Sequence, residues 1–158
     1  MKKYIVLFVF VFFSSCKIEP EITIHKVQGS PEYPNAKINL NEPVAIEDGY
    51  EFSFDVINYE LGMQTLKNFD YQLANSAKGQ HIHFIVNNNP YSAHYNEKFS
   101  KKLEGDSNLI LAFLSRSYHE SVKNKNAFVL TQLGEQKIDL NNEFLFYSRP
   151  KGTYRGPD

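Results

Sequence analysis

Between residues 50 and 58 the chain alternates strictly, with Tyr50, Phe52, Phe54 and Val56 on one side and Glu51, Ser53 and Asp55 on the other. A period of two marks an extended strand with one buried face. Large aromatics on that face call for antiparallel strands, because a parallel sheet buries both sides of each strand. Other stretches repeat the theme. Residues 18–28, IEPEITIHKVQ, alternate Ile22 and Ile24 with polar neighbours and predict a first strand with His25 facing solvent. Residues 29–49 hold three prolines and two glycines and predict a connection containing one or two short strands. The continuous apolar run inside SNLILAFLSRS, residues 107–117, predicts a central strand, and residues 127–133 and 142–148 supply two more.

One segment breaks the period. Leu66, Phe69, Leu73 and Ala77 recur every three to four residues, which fits a short helix with Thr65 as N-cap and Gly79 past its C-terminus. Asn68, Asp70, Asn75 and Ser76 fit a structured loop nearly as well. Six to eight short strands with turn signals between them predict an all-β fold, an antiparallel immunoglobulin-like β-sandwich with at most one short helix.

The N-terminus, MKKYIVLFVFVFFSSC, places two lysines before an apolar run over residues 4–13 and small residues before Cys16. The run is a secretory signal, short for a membrane span. Phe13-Ser14-Ser15-Cys16 resembles a bacterial lipobox, so Cys16 is the expected lipidation site. As the only cysteine, it has no intramolecular disulfide partner, and a thiol closing a signal segment has no fold around it to activate it. Multiple acyl chains, each gaining about 0.8 kcal/mol per buried methylene, would anchor the protein stably. Position 17 is lysine, not the aspartate of inner-membrane lipoproteins, and Glu19 and Glu21 follow. An outer-membrane lipoprotein is expected, periplasmic or surface-facing. Residues 1–16 are then signal peptide and anchor, and residues 17–158 one domain, large enough for a single core.

Seventeen basic and eighteen acidic side chains leave a net charge of −1. Nothing in that balance steers the protein towards nucleic acid.

Three of the five histidines crowd into KGQHIHFIVNNNPYSAHYNE. Asn87-Asn88-Asn89-Pro90 is turn chemistry. A four-residue turn pairs Val86 with Tyr91 and His83 with His94, putting Ile82, Phe84, Val86, Tyr91, Ala93 and Tyr95 on the core face. His81, His83 and His94 then share the outer face, close enough for a common ion. Three imidazoles with an open fourth position suit zinc or copper, and His119 is a possible fourth ligand. The simpler alternative is a polar sheet face without metal. His119 lies in SRSYHES beside Ser115, Ser117 and Ser121, but no GxSxG elbow surrounds it and a triad needs geometry, so no catalytic residue is assigned. Arg116, Arg149 and Arg155 are the only arginines, and Ser-Arg occurs in both LSRSYHES and YSRPKGTYRG. Arginine forks at strand ends suit carboxylate or phosphate, so Arg116, Arg149, Arg155 and Lys151 form a candidate anion-binding surface. Surface ion pairs and carbonyl capping are the alternative role for these residues.

NYELGMQT, LANSAKGQHIHFIVNNNPYSAHY, LAFLSRSYHESVKN and LFYSRPKGTYRG together resemble an uncharacterised family of Bacteroidota lipoproteins, some labelled "phosphopeptide-binding protein". The resemblance spans residues 58–156. It implies a lipid-anchored envelope domain, and the label fits the arginine-bearing loops without explaining the histidines. Family members continue past SRPKGTY into further strands, so the resemblance implies either a short variant or a C-terminal truncation.

The leading expectation is a non-enzymatic, lipid-anchored envelope protein that binds an anionic ligand, a metal ion or a protein partner through the histidine hairpin and the Ser-Arg loops. A zinc or copper protein using His81, His83 and His94 is the first alternative. A purely structural envelope lipoprotein is the second.

Overall fold

The alternation around Phe52 and Phe54 becomes the spine of one of two packed β-layers. The computed structural model describes residues 23, 29–69, 73–135 and 137–146. They contain β1 (Lys37–Leu40), β2 (Val44–Ile46), β3 (Gly49–Ile57), β4 (His81–Val86), β5 (Ser92–His94), β6 (Lys98–Lys101), β7 (Ser107–Ser115) and β8 (Phe128–Gly134). Every strand pairing is antiparallel.

In the first layer β1 and β2 follow one another along a single edge of β3, in register from Lys37↔Ile57 to Leu40↔Phe54 and from Val44↔Glu51 to Ile46↔Gly49. Pro43 lies between them and lacks the N–H that an unbroken ladder needs. The β2–β3 hairpin requires Gly49: its φ is +118°, and a Cβ there would stand 2.4 Å from the Lys101 carbonyl oxygen. The other edge of β3 takes β6, from Tyr50↔Lys101 to Ser53↔Lys98. The second layer runs β5-β4-β7-β8.

Aromatic rings fill the gap between the layers. Phe52 meets Phe84 edge-on at 4.8 Å, and Phe99 stacks at 5.8 Å on both Phe52 and Phe54 while meeting Phe84 at 5.1 Å. Such tilted and offset contacts add to the gain from burial alone. Ala36, Ile38, Tyr59, Ile82, Val86, Ile110, Ala112, Leu114, Val122 and Ala127 pack with them in this core. The all-β antiparallel sandwich is thus the architecture; the immunoglobulin-like type is narrower than this topology establishes.

Two sequence expectations change. The described residues contain no helix: 61–69 and 73–79 form an irregular loop. Thr65 is buried, its N–H donating to Ser117 Oγ at 3.2 Å and its Oγ1 accepting from the Ser117 N–H at 3.1 Å. Gln80 N–H donates to the Met63 carbonyl at 2.7 Å, and Gly62 N–H to the Gln80 carbonyl at 2.8 Å. These cross-chain partners replace the i→i−4 bonds of a helix. Gly79 has φ +86° and passes so close to Gly62 that a Cβ would lie 2.3 Å from its carbonyl oxygen. The strand expected over 142–148 is absent from 142–146, and 147–148 fall outside the described residues. So do the signal segment with Cys16 and, apart from residue 23, the strand expected over 18–28.

Because Phe84 touches Phe52, Phe54 and Phe99 and is 1 % exposed, Phe84→Ala is expected to cost about 3–5 kcal/mol. Urea unfolding at unchanged slope reads this directly. A loss below about 1 kcal/mol would mean that the ring cluster is not what holds the layers together.

Candidate metal centre

All six residues of β4 are buried, because β5 and β7 flank the strand and both of its faces are covered. The histidine face expected to meet solvent is therefore interior: His81 is 0 % and His83 5 % exposed. His81 is paired with Ser115, the last residue of β7. The chain leaving Ser115 turns back at once, with His119 N–H donating to the Arg116 carbonyl at 2.9 Å, Arg116 N–H to the Glu120 carbonyl at 2.8 Å, and a bridge joining Ser115 to Ser121. His119 sits in this turn at φ +65°, a left-handed conformation in which histidine is enriched among non-glycine residues. That turn swings its ring back over β4, 5.0 Å from the ring of His81.

Three imidazoles thus converge. His83 Nε2 lies 2.8 Å from His81 Nε2 and 3.4 Å from His119 Nδ1, and the potential ligand atoms of all three fall within 4.8 Å of one another. The proton arrangement follows from their partners. His81 Nδ1 lies 2.8 Å from the Gly79 carbonyl oxygen, which only accepts, so Nδ1 carries the proton. In the neutral ring His81 Nε2 then offers a lone pair, and His83 Nε2–H donates to it. A ligating histidine whose other nitrogen donates to a backbone carbonyl is the usual arrangement around bound metals, since it fixes tautomer and ring orientation. Burial, followed by the charge of His119, holds His81 below the ordinary histidine range despite the opposing pull of the Gly79 carbonyl. The neutral form is the one that binds a cation.

Zinc bonds to imidazole of roughly 2.0–2.1 Å put tetrahedral ligand nitrogens roughly 3.3 Å apart. The His83–His119 separation already matches. The shorter His81–His83 contact reflects a shared proton and must open by roughly 0.5 Å when a cation takes that proton's place. The residues fit a metal with three imidazole ligands, and the exposed His119 leaves the cluster open to the surface.

Aromatic side chains hold the rings in place. Tyr91 stacks on His83 at 3.9 Å and 9°, Tyr95 lies 5.1 Å from His81, and Phe113 lies 5.0 Å from His83. The Tyr95 hydroxyl shares a 2.7 Å hydrogen bond with Ser76 Oγ, and that of Tyr91 comes within 3.5 Å of His119 Nδ1.

This set departs from the expected hairpin by one residue of register. The observed pairs are Ile82↔His94, His83↔Ala93 and Phe84↔Ser92, in place of His83↔His94. Asn87 is the cause: it adopts φ +54°, its Nδ2 donates to Asn108 Oδ1, and its Oδ1 accepts from the Leu109 N–H, so the turn is pinned to β7. A shift of one residue exchanges the faces of a strand. Tyr91, Ala93 and Tyr95 therefore join the histidine face. His94 turns to the core, stacked on Phe99 at 3.4 Å, and is not a ligand with His81 and His83.

Arg116 also differs from expectation. Its side chain is 3 % exposed; Nε and NH2 donate to the Pro31 carbonyl, NH1 donates to the Ser121 carbonyl at 2.8 Å, and the guanidinium lies over the Tyr33 ring. Glu120, 3.5 Å away, offsets its charge. Arg116 is a buried brace for the turn carrying His119, with its fork directed into the protein and away from an external anion. Arg149, Lys151 and Arg155 lie outside the described residues.

In the sequence His119 stands out only as a further, fourth ligand. Its actual role depends on the turn after Ser115, for which the sequence offers no glycine or asparagine signal. Comparison with family models, curated proteins and solved structures returns no match.

His94 provides a check on the corrected register. Burial, with the Lys101 charge adding to it, lowers its pKa to about 4 from 6.5. Between those values the unfolded chain binds the extra proton, so this histidine costs stability as pH falls from 6.5 through about 4. His94→Phe, which keeps a ring on Phe99, is expected to flatten that loss in acid unfolding measurements, leaving the slope of the same sign due to His81. An unchanged pH profile would return His94 to solvent.

Proposed function

We propose that this protein is a lipid-anchored metal-binding protein of the bacterial envelope, holding zinc or copper through His81, His83 and His119. The observation that carries this reading is the convergence of three imidazole nitrogens on one point, two of them buried and one held in its lone-pair-bearing tautomer by Gly79. A buried polar pair joined to a third imidazole is costly to assemble. A cation bound at that point stabilises it. A metal held by His81, His83 and His119 would supply Lewis acidity; the chain's own part is to fix the rings, with Tyr91, Tyr95 and Phe113 packed against them.

The anchor rests on the lysine pair, apolar run and small residues leading to Cys16. Acylation there places the domain at a membrane surface, with the outer membrane favoured by the residues after the cysteine.

Metal content of untagged mature protein, challenged with zinc or copper and then freed of excess ion, tests the site. One equivalent is expected, lost in His83→Ala and His81→Ala, weakened by at least about tenfold in His119→Ala, and retained in full by His94→Ala. At a hundredfold excess over its dissociation constant the metal should add about 2.7 kcal/mol to stability. Equal uptake by wild type and His83→Ala would sink the assignment, as would no uptake at all.

The anchor has its own test. Cys16→Ser is expected to move the protein from the membrane to the soluble fraction of the producing cell, with loss of incorporated labelled fatty acid. Persistence of acyl label in the variant would disprove lipidation at Cys16.

A further inference from the structure

The outward face of the second layer carries a recess separate from the imidazole cluster. Along β7 the residues Ile110, Ala112 and Leu114 enter the core, so Leu111 and Phe113 point outward. Phe128 is paired with Phe113 across β7 and β8 and shares that face. The loop at 121–125 folds over the same side and brings Lys123 and Lys125 to the rim, while Val122, 5 % exposed, belongs mainly to the core beneath. Together these groups line a shallow, mainly apolar recess of about 440 Å³, within the size range of small-molecule sites. Phe128 is 48 % exposed at its mouth.

The walls are fixed in advance. Val122 N–H donates to the Leu114 carbonyl at 2.9 Å, and Leu114 N–H to the Ala127 carbonyl at 3.0 Å. Asn124 Nδ2 donates to the carbonyls of Tyr33 and Ala36 at 2.9 and 3.1 Å, tying the loop to the rest of the fold. A ligand entering here does not have to order the loop.

Charge distinguishes the occupant. Lys123 and Lys125 line the recess, and no acidic side chain does so among the described residues. Lys123 Nζ donates one hydrogen bond to Ser121 Oγ at 2.6 Å; an ammonium has two further donors to offer. Apolar walls beneath two cations suit a molecule with an alkyl body and one anionic head. A concave recess also suits a single chain better than a membrane surface, which would be met by a protruding apolar group.

We propose that this recess binds a single-chain amphiphile bearing a carboxylate, its alkyl chain against Leu111, Phe113 and Phe128 and its head between Lys123 and Lys125. None of the three imidazoles lines this site, and Phe113 is the residue it shares with their surroundings.

The chain contains no tryptophan, so Phe128→Trp gives a single indole reporter at the mouth of the recess. Mature protein carrying Cys16→Ser and this substitution would be titrated with dodecanoate below its micellar concentration, and in parallel with dodecylammonium. Calorimetric titration of the protein with native Phe128 serves as the label-free control. A saturable blue shift is expected, with dodecanoate bound at least tenfold more tightly than dodecylammonium. Lys123→Gln with Lys125→Gln should weaken dodecanoate at least tenfold at an unchanged unfolding midpoint. No saturable binding by either method, equal affinity for the two chains, or indifference to the lysine substitutions would overturn the proposal. A response to phosphatidylglycerol vesicles without one to monomeric dodecanoate would assign the surface to a membrane and overturn it equally.

Discussion

The pairing of β4 with β7, six residues long from His81↔Ser115 to Val86↔Ile110, constrains both faces of the molecule at once. Inward it delivers Ile82, Phe84 and Val86 to the aromatic layer against Phe52, Phe54 and Phe99. Outward it fixes His81 and His83 beside the end of β7, so that the next turn of chain falls on top of them. Alternation ties these two outcomes together: no register places Phe84 in the core without placing His81 and His83 side by side on the opposite face. A strand buried on both sides in an antiparallel layer is uncommon for a polar face, and here that face is histidine and aromatic rather than aliphatic.

Among the described residues the buried polar side chains at this end of the sandwich have partners, the Tyr59 hydroxyl excepted. Arg116 serves the carbonyls of Pro31 and Ser121, Thr65 and Ser117 exchange hydrogen bonds, and Gln80 Nε2 donates to the Glu60 carbonyl at 2.6 Å. Removing a partner from such a group costs its full desolvation, so the segments at 61–69 and 73–80 and the turn at 116–121 are locked to each other and to the start of β4. The imidazole cluster sits where these segments meet. Its nitrogens are positioned by the same hydrogen bonds that close the fold there, which is how a surface-reaching turn can hold His119 at a set distance from two buried rings.

The two candidate ligand sites use the same sheet face in different ways. Near His81 and His83 the face is capped by Tyr91, Tyr95 and His119, leaving only ring nitrogens for a ligand. Farther along β7 towards β8 the cover is the 121–125 loop, whose side chains leave apolar surface open beneath lysines. Phe113 stands between them, its ring 5.0 Å from that of His83 while also lining the recess.

What the sequence determined by itself was set by local periodicity: the all-β class, the strands expected at 50–58, 81–86, 107–117 and 127–133, each within two residues of its observed bounds, and the core residues Phe52, Phe54, Ile82 and Phe84. His81 and His83 were legible as a pair because residues two apart on a strand must share a face. Tertiary structure decided the rest. The register of β5 hung on Asn87, whose side chain is committed to Asn108 and Leu109 in a distant strand, and this one residue exchanged His94 for Tyr91 and Tyr95 on the histidine face. Segment 61–79 carried helical spacing, yet the non-local hydrogen bonds of Thr65, Met63 and Gly62 outcompeted local ones. His119 and Arg116 took their places from the turn after Ser115, whose shape comes from packing against Pro31, Ser121 and Glu120. Periodicity reports which face a residue occupies, whereas the partner across that face is chosen by contacts between residues far apart in the chain.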